Sequence, residues 1–454
     1  MYKVLLVIIV LFSCGSSSEE SIHQSLQVFG EPIPIIKISS SKKIKDEPKT
    51  EAQLQIFMKD SLLFSSKIGI EYRGAVSQMF YDKKSYGIEL WDESNNGLSK
   101  SVLNMPPEED WILHGPYADK SLIRNVLAYQ VSNSIGRYAP KTQFVELEVN
   151  GDFKGLYVLM EKIKRGKERV NVSKLSPKIT AADSISGGYI LKIDKTVGAG
   201  FSHQGDYNEI NSFSSTFDQA GKLSADSKIH FLYDYPKATN ISEAQKEYIK
   251  SYILDFEKAM ASTSFSNPEL GFRKYIDEDS FIDYFLLTEL FQNFDGYRIS
   301  TYLQKERGEK LKMGPIWDFD LSSGSKGFCH RMNEKNQNYW IFEYNKYCGD
   351  DMWVVPFWWS RLLQDKLFVE KLNARWKALR QNKFSEKSLM QEIEFQVSYL
   401  KNTKAVERNF DRWRILNKRI EPSDTKGSHD QEIELIKNWL KQRLVWMDRE
   451  LPKL

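Results

Sequence analysis

Only three of the 454 residues are cysteine and six are histidine, and no apolar run reaches the twenty or so residues of a membrane-spanning helix. No CxxC spacing occurs, so a paired-cysteine zinc site has weak support. His114 in "ILHGPY" has no G-x-S-x-G partner anywhere, which leaves a serine hydrolase without its parts. Surplus charge is also scarce: 64 basic against 61 acidic residues leave +3, no electrostatic footprint for nucleic acid. There is no internal repeat, which excludes a solenoid. What the chain does have is 41% hydrophobic and 28% charged residues, ordinary for a soluble globular protein. Aromatics at 13% promise a large core, and the length admits two domains or one large two-lobed domain.

The N-terminus reads as an export signal. "MYK" supplies one positive charge and "VLLVIIVLF" a short apolar run, followed by "LFSC". Residues 1–13 are expected to be a lipoprotein signal peptide, Cys14 the lipidated residue, and 14–32 a flexible tether. The alternative is a short buried strand. "SSSEE" resembles the acidic tag of surface-displayed Bacteroidetes lipoproteins, which implies an outer-membrane lipoprotein held by its lipid. Cys329 and Cys348 then remain as a pair, and an exported chain suggests a disulfide. By loop entropy such a link contributes roughly 3 kcal/mol. Free thiols, or a metal site with His330, are the other readings.

Strands dominate the first half. "KIGIEY" and "SYGIEL" alternate with period two, and "GGYILKID" forms another strand. Asn150-Gly151 is a type I′ turn dipeptide between two apolar-rich runs. A helix is expected at about residues 119–135. Together these predict an antiparallel sheet with at least one helix against it. Beyond about residue 240 helices take over. "EDSFIDYFLLTELFQNF" is apolar almost all round, a buried helix capped by Asp279 or Ser280, and "QEIELIKNWLKQRLVWM" is an amphipathic closing helix. The fold class is therefore α+β, with a strand-rich lobe over 33–235 and a mostly helical one over 236–454. Trp353, Trp358 and Trp359 read as core aromatics or, alternatively, as a sugar-stacking patch.

The chemistry concentrates in "NFDGYRISTYLQKERGEKLKMGPIWDFD". Asp295 ends the buried helix, a hairpin follows, and Asp318 lies just beyond Gly314-Pro315. A hairpin returns the chain to its start, so the two carboxylates should meet at one end of it. Protein kinases share this order, one Asp orienting the acceptor hydroxyl and a later one holding magnesium. Cations for phosphate are sought in "YRGAVS" (Arg73, with Ser77) and "DKKSY" (Lys83, Lys84), with Glu161 as a partner for such a lysine.

"YRGAVS…DKKSYGIEL", "DWILHGPYADKSLIRNVLAYQV", "YAPKTQFVELEVNGDFKGLYVLMEKI", "NFDGYRISTYLQ" and "GPIWDFDLSSG" together resemble the CotH (spore-coat) kinase-like family over most of residues 65–325. "WW.RLL.D..F" and "RWKALR" resemble that family's C-terminal helices. The resemblance implies a two-lobed atypical protein-kinase-like fold with ATP and magnesium in the cleft, a catalytic hairpin over 295–320 and a protein acceptor. It implies Asp295 as catalytic acid, Asp318 as metal ligand, and Lys83 or Lys84 as phosphate contact. Ser300 stands where kinase catalytic loops carry a metal-binding Asn. Asp320, two residues from Asp318 on a segment read as extended, is a candidate to compensate. Since little ATP is met outside the inner membrane, a catalytically silent scaffold, or a glycan- or protein-binding lipoprotein, is the alternative.

Overall fold

The computed structural model describes residues 32–74, 76–196, 207–225, 229–334 and 338–454. The expected signal peptide, Cys14 and the tether up to residue 31 lie outside them. Strands are β1 (Ile35–Ser39), β2 (Thr50–Met58), β3 (Ser61–Arg73), β4 (Ser85–Trp91), β5 (Lys100–Val102), β6 (Met105–Glu108), β7 (Asp110–His114), β8 (Thr142–Val149), β9 (Asp152–Glu161), β10 (Tyr189–Ile193), β11 (Ser212–Ser214), β12 (His230–Tyr235), β13 (Thr301–Lys305) and β14 (Leu311–Met313). Helices are α1 (Val76–Phe80), α2 (Arg124–Ser134), α3 (Glu243–Ala261), α4 (Glu278–Phe291), α5 (His330–Asn333), α6 (Tyr344–Cys348), α7 (Trp358–Leu362), α8 (Lys366–Arg380), α9 (Glu386–Asn402), α10 (Ala405–Arg412) and α11 (His429–Glu450).

The expected antiparallel sheet is instead a closed barrel, in the order β1-β2-β3-β4-β7-β9-β8. Six of its seven pairings are antiparallel; β1 closes the ring by running parallel to β8. Side chains alternate as a barrel requires: on β2, Ala52, Leu54 and Ile56 are buried while Glu51, Gln53 and Gln55 face out. Ile36, Ile68, Ile88, Leu113, Val145 and Leu159 fill the interior with them. Asn150 (φ 51°) and Gly151 (φ 78°) make the expected β8–β9 hairpin turn.

A second sheet runs β11-β12-β10-β13-β14. It joins strands from either side of residue 235, so a division there separates hydrogen-bonded partners. The hairpin between the two acids is present, with Leu303 opposite Met313 and Lys305 opposite Leu311.

The helical half packs on α4, whose residues from Ser280 to Phe291 are all buried. Its N-cap is Asp277, which accepts the Ser280 N–H at 2.8 Å, and not Asp279 or Ser280. Helix α2 begins at Arg124, later than expected, because Asp119 accepts the N–H groups of Ser121 and Arg124 and folds 119–123 into a turn. Trp358 and Trp359 are fully enclosed against Phe256 and Phe281, which overturns the sugar-stacking reading for both. Cys329 and Cys348 form a disulfide with Cα atoms 6.4 Å apart, which replaces the metal and free-thiol readings. Among the described residues, no helix is long and apolar enough to cross a membrane.

Candidate functional site

Helix α4 ends at Gln292, a left-handed C-cap, and the chain turns through Asn293 and Phe294 into Asp295. After β14, Gly314 (φ 99°) and Pro315 redirect it through Trp317 to Asp318. Between residues 292 and 323, five non-glycine residues adopt positive φ: Gln292, Tyr297, Ser300, Asp318 and Ser323. Each such conformation costs on the order of 1 kcal/mol and persists only where surrounding contacts impose it.

Those contacts join the two acid-bearing loops. The backbone of Phe294 donates to Leu321 O at 3.3 Å, and Ser323 donates to Phe291 O at 2.6 Å. Asn293, 2% exposed, links them by its side chain: Oδ1 accepts the Asp295 N–H at 3.3 Å and Nδ2 donates to Asp318 O at 3.2 Å. Helix α2 holds the Asp318 loop from the other side. Tyr129 Oη accepts the Asp318 N–H at 3.1 Å, Asn125 Oδ1 accepts that of Phe319 at 2.6 Å, and Arg124 Nε donates to Ser322 O at 2.9 Å. Asn125 and Tyr129 share one helix face by their spacing of four. The Asn125 amide is itself oriented by His114 Nε2 at 3.3 Å. Burial keeps His114 low, at about 4, so its ring is neutral at physiological pH and accepts that bond.

The acids crowd one another. Burial, then the charges of Asp295 and Asp194, raise Asp318 to about 6, while Lys195 and Arg73 pull it back. Asp320 is pushed well above the usual carboxylate range by burial, then by Asp318, Asp119 and Asp295, and its carboxyl is hydrogen-bonded to that of Asp318. Because Asp318 is left-handed (φ 59°), the extended segment expected for this pair is absent, yet the two carboxyls still meet. Crowded carboxylates of this kind hold either a proton or a cation between them. Asp295 stands on the opposite loop, its Oδ1 3.2 Å from Arg298 Nη2. Positive charge comes from Arg73, stacked 5.7 Å over Trp317, and Lys195, 4.7 Å over Trp353.

The other sequence candidates fall elsewhere. Lys83 is 1% exposed, and its ammonium donates to Pro116 O, Leu156 O and Asn409 Oδ1 at 3.2, 2.5 and 2.8 Å. It is an internal tie between the barrel and α10, sealed from any ligand. Lys84 Nζ caps the carbonyls of Gln78 and Tyr81, both at 2.6 Å. Glu161 pairs with neither lysine. It accepts from Tyr138 Oη and the Lys141 N–H at 3.1 and 2.9 Å and faces Arg169 Nε at 3.6 Å. Ser77 Oγ donates to Arg73 O at 3.4 Å, at the base of α1. Ser300 is buried just before β13.

Asn293, Arg298, Lys195, Asn125 and Tyr129 were not singled out from sequence. Asn293 and Arg298 flank Asp295 inside "NFDGYR" and were within reach of that motif. Lys195 and the two α2 residues join the site only through tertiary packing.

A second acid group lies apart. One carboxylate oxygen each of Glu108, Glu109 and Asp110 converge within 4.8 Å. Lys164 reaches all three at 3.0, 2.6 and 2.9 Å, and Lys49 and Lys162 each stand 3.5 Å from Asp110. Against the upward push of burial, Lys162 and Lys164 hold Asp110 well below the usual carboxylate range. This is a neutralised ion-pair network.

Two acid-bearing loops thus meet across a hairpin, with cations acting on the second acid. The model of the CotH kinase protein family matches residues 70–447, and the chain belongs to that family. It is also similar to the inner spore coat protein H of Bacillus subtilis (strain 168), 23% identical over 262 residues. That match covers 57% of this chain and 59% of the relative, so the chain spans a little over half of that protein's length.

Proposed function

We propose that this protein is an ATP- and magnesium-dependent phosphotransferase acting on Ser or Thr of an envelope or secreted protein. In this reading the barrel and the helical half are the two lobes of an atypical kinase-like fold, and the chain is held at the outer membrane by lipid on Cys14. The observation that carries the proposal is the Asn293 side chain, which bonds the Asp295 and Asp318 backbones and so fixes the two acids as one unit. The donor set fits the ion: Asp318 and Asp320 offer hard carboxylate oxygens, and a divalent cation there would relieve the crowding that raises both. Bound magnesium would neutralise the phosphate charge. Arg73 and Lys195 take the phosphate-contacting role expected of Lys83 and Lys84.

Asp295 orients the acceptor hydroxyl and takes its proton as the oxygen bonds to the γ-phosphorus and the bond to ADP breaks. Calorimetric titration of the purified chain with ATP tests the site. Binding is expected with magnesium, to weaken sharply without it, and to be lost in Asp318→Asn. Ser300, in place of an amide ligand, favours a second reading, a catalytically silent scaffold. No binding at millimolar nucleotide would select it.

A further inference from the structure

A buried guanidinium is costly unless every face of it is used. Arg298 is 4% exposed, and its contacts converge on one purpose. Nε donates to Phe294 O at 3.0 Å, one residue before Asp295. Nη1 lies 3.4 Å from both Asp351 Oδ2 and Trp353 O, and the guanidinium carbon sits 4.1 Å from the centre of the Tyr344 ring. Nη2 donates to Asp295 Oδ1 at 3.2 Å. The backbone completes the arrangement, since Asp295 O accepts the N–H groups of both Arg298 and Ile299.

Asp351, the partner across the guanidinium, is itself fixed. Its N–H donates to Cys348 O at 3.1 Å, its Oδ1 accepts the Trp353 N–H at 3.1 Å, and Oδ2 accepts from Tyr344 Oη at 2.5 Å. The segment after the disulfide thus anchors an arginine that reaches back to the acid loop.

We infer that Arg298 is a positioning residue for Asp295, an inference that rests on the phosphotransferase reading. Its bond to Oδ1 fixes the plane of the carboxylate and leaves Oδ2 for the acceptor hydroxyl, while its charge offsets the repulsion between Asp295 and the pair Asp318–Asp320. Asp351 keeps the guanidinium in place as its second anchor. Arg298 touches neither nucleotide nor acceptor in this account; it acts through Asp295.

The test is γ-phosphate release from magnesium ATP by the full chain, to water or to the chain itself. Wild type is compared with Arg298→Met, Arg298→Lys, Asp351→Asn, Asp295→Asn and the double variant Arg298→Met/Asp295→Asn. Arg298→Met is expected to lower kcat about 100-fold, the scale of a small misplacement of a catalytic group, with KM for ATP essentially unchanged. Arg298→Lys recovers part of the loss, and Asp351→Asn loses less than Arg298→Met. The double variant should be no slower than Asp295→Asn alone, because a residue that acts only through Asp295 has nothing further to remove. The inference is overturned if Arg298→Met keeps wild-type kcat, if its loss adds in full to that of Asp295→Asn, or if ATP affinity and melting temperature fall together with kcat. Should Arg298→Met fail to fold, Asp351→Asn decides, and wild-type kcat in that variant counts against the inference. If Asp295→Asn itself turns over like wild type, the phosphotransferase reading fails first and takes this inference with it.

Discussion

Lys83 shows how a residue can occupy a motif and serve the fold. Its three acceptors, Pro116 O, Leu156 O and Asn409 Oδ1, are all buried, and burial pushes its ammonium well below the usual lysine value. Lys83→Met would leave them unpaired, at roughly 1–3 kcal/mol for each acceptor that cannot find water. Denaturant unfolding should therefore show a loss of several kcal/mol. Affinity for magnesium ATP should stay within about threefold, well under 1 kcal/mol; a hundredfold loss with an intact fold would return Lys83 to the phosphates. Asn293→Ala makes the opposite prediction. Two hydrogen bonds cost about 1–2 kcal/mol of stability, while γ-phosphate release should fall by tenfold or more as the loops lose their shared register. At this scale the acids were legible, because carboxylates beside an apolar strand end need a reason. Of the cations, Arg73 was a candidate and Lys195 was not. "DKKSY" gives two lysines in a row and no sign of which is sealed, and Lys195 lies far along the chain from Asp318.

Among the elements, those set by local pattern were the ones sequence could reach. The Asn150-Gly151 hairpin, the Thr301–Met313 hairpin, α4 and α11 follow from turn chemistry and apolar spacing. Strand β1 is five residues long, and its role depends on a parallel partner more than a hundred residues away. No local signal marks that closure. The disulfide spans a separation of 19 residues and encloses Ile341 and Phe342, whose N–H groups bond Glu289 at 2.8 and 3.0 Å. Replacing both cysteines by serine should lower stability by roughly 3 kcal/mol, read from the urea midpoint, as should reduction of the native chain.

On α3, Glu257 is 1% exposed and bonded to Ser215 Oγ and Trp358 Nε1, and burial raises it to about 7. The native state keeps this proton between about pH 4.5 and 7 while the unfolded chain has lost it, so its contribution to stability falls as pH rises through that window. Glu257→Gln should flatten this dependence and, above pH 7, raise stability by an amount on the order of 3 kcal/mol. An unchanged pH profile in urea melts would show that Glu257 is ionised in the native state.

For the molecule as a whole, the composition, the strand-to-helix progression and the family were all readable. The closed barrel was not, nor the second sheet that draws β10–β12 and the acid-bearing hairpin together. That sheet holds the hairpin whose two ends lead to the Asp295 and Asp318 loops, and α2 holds the second loop. The proposed site thus draws its residues from both halves.

The most direct test is an anomalous difference map from crystals grown with manganese and ADP. The account predicts a manganese peak bridging Asp318 and Asp320, with the phosphates directed at Arg73 and Lys195. A nucleotide seated elsewhere, or manganese held only at Glu108, Glu109 and Asp110, would contradict it.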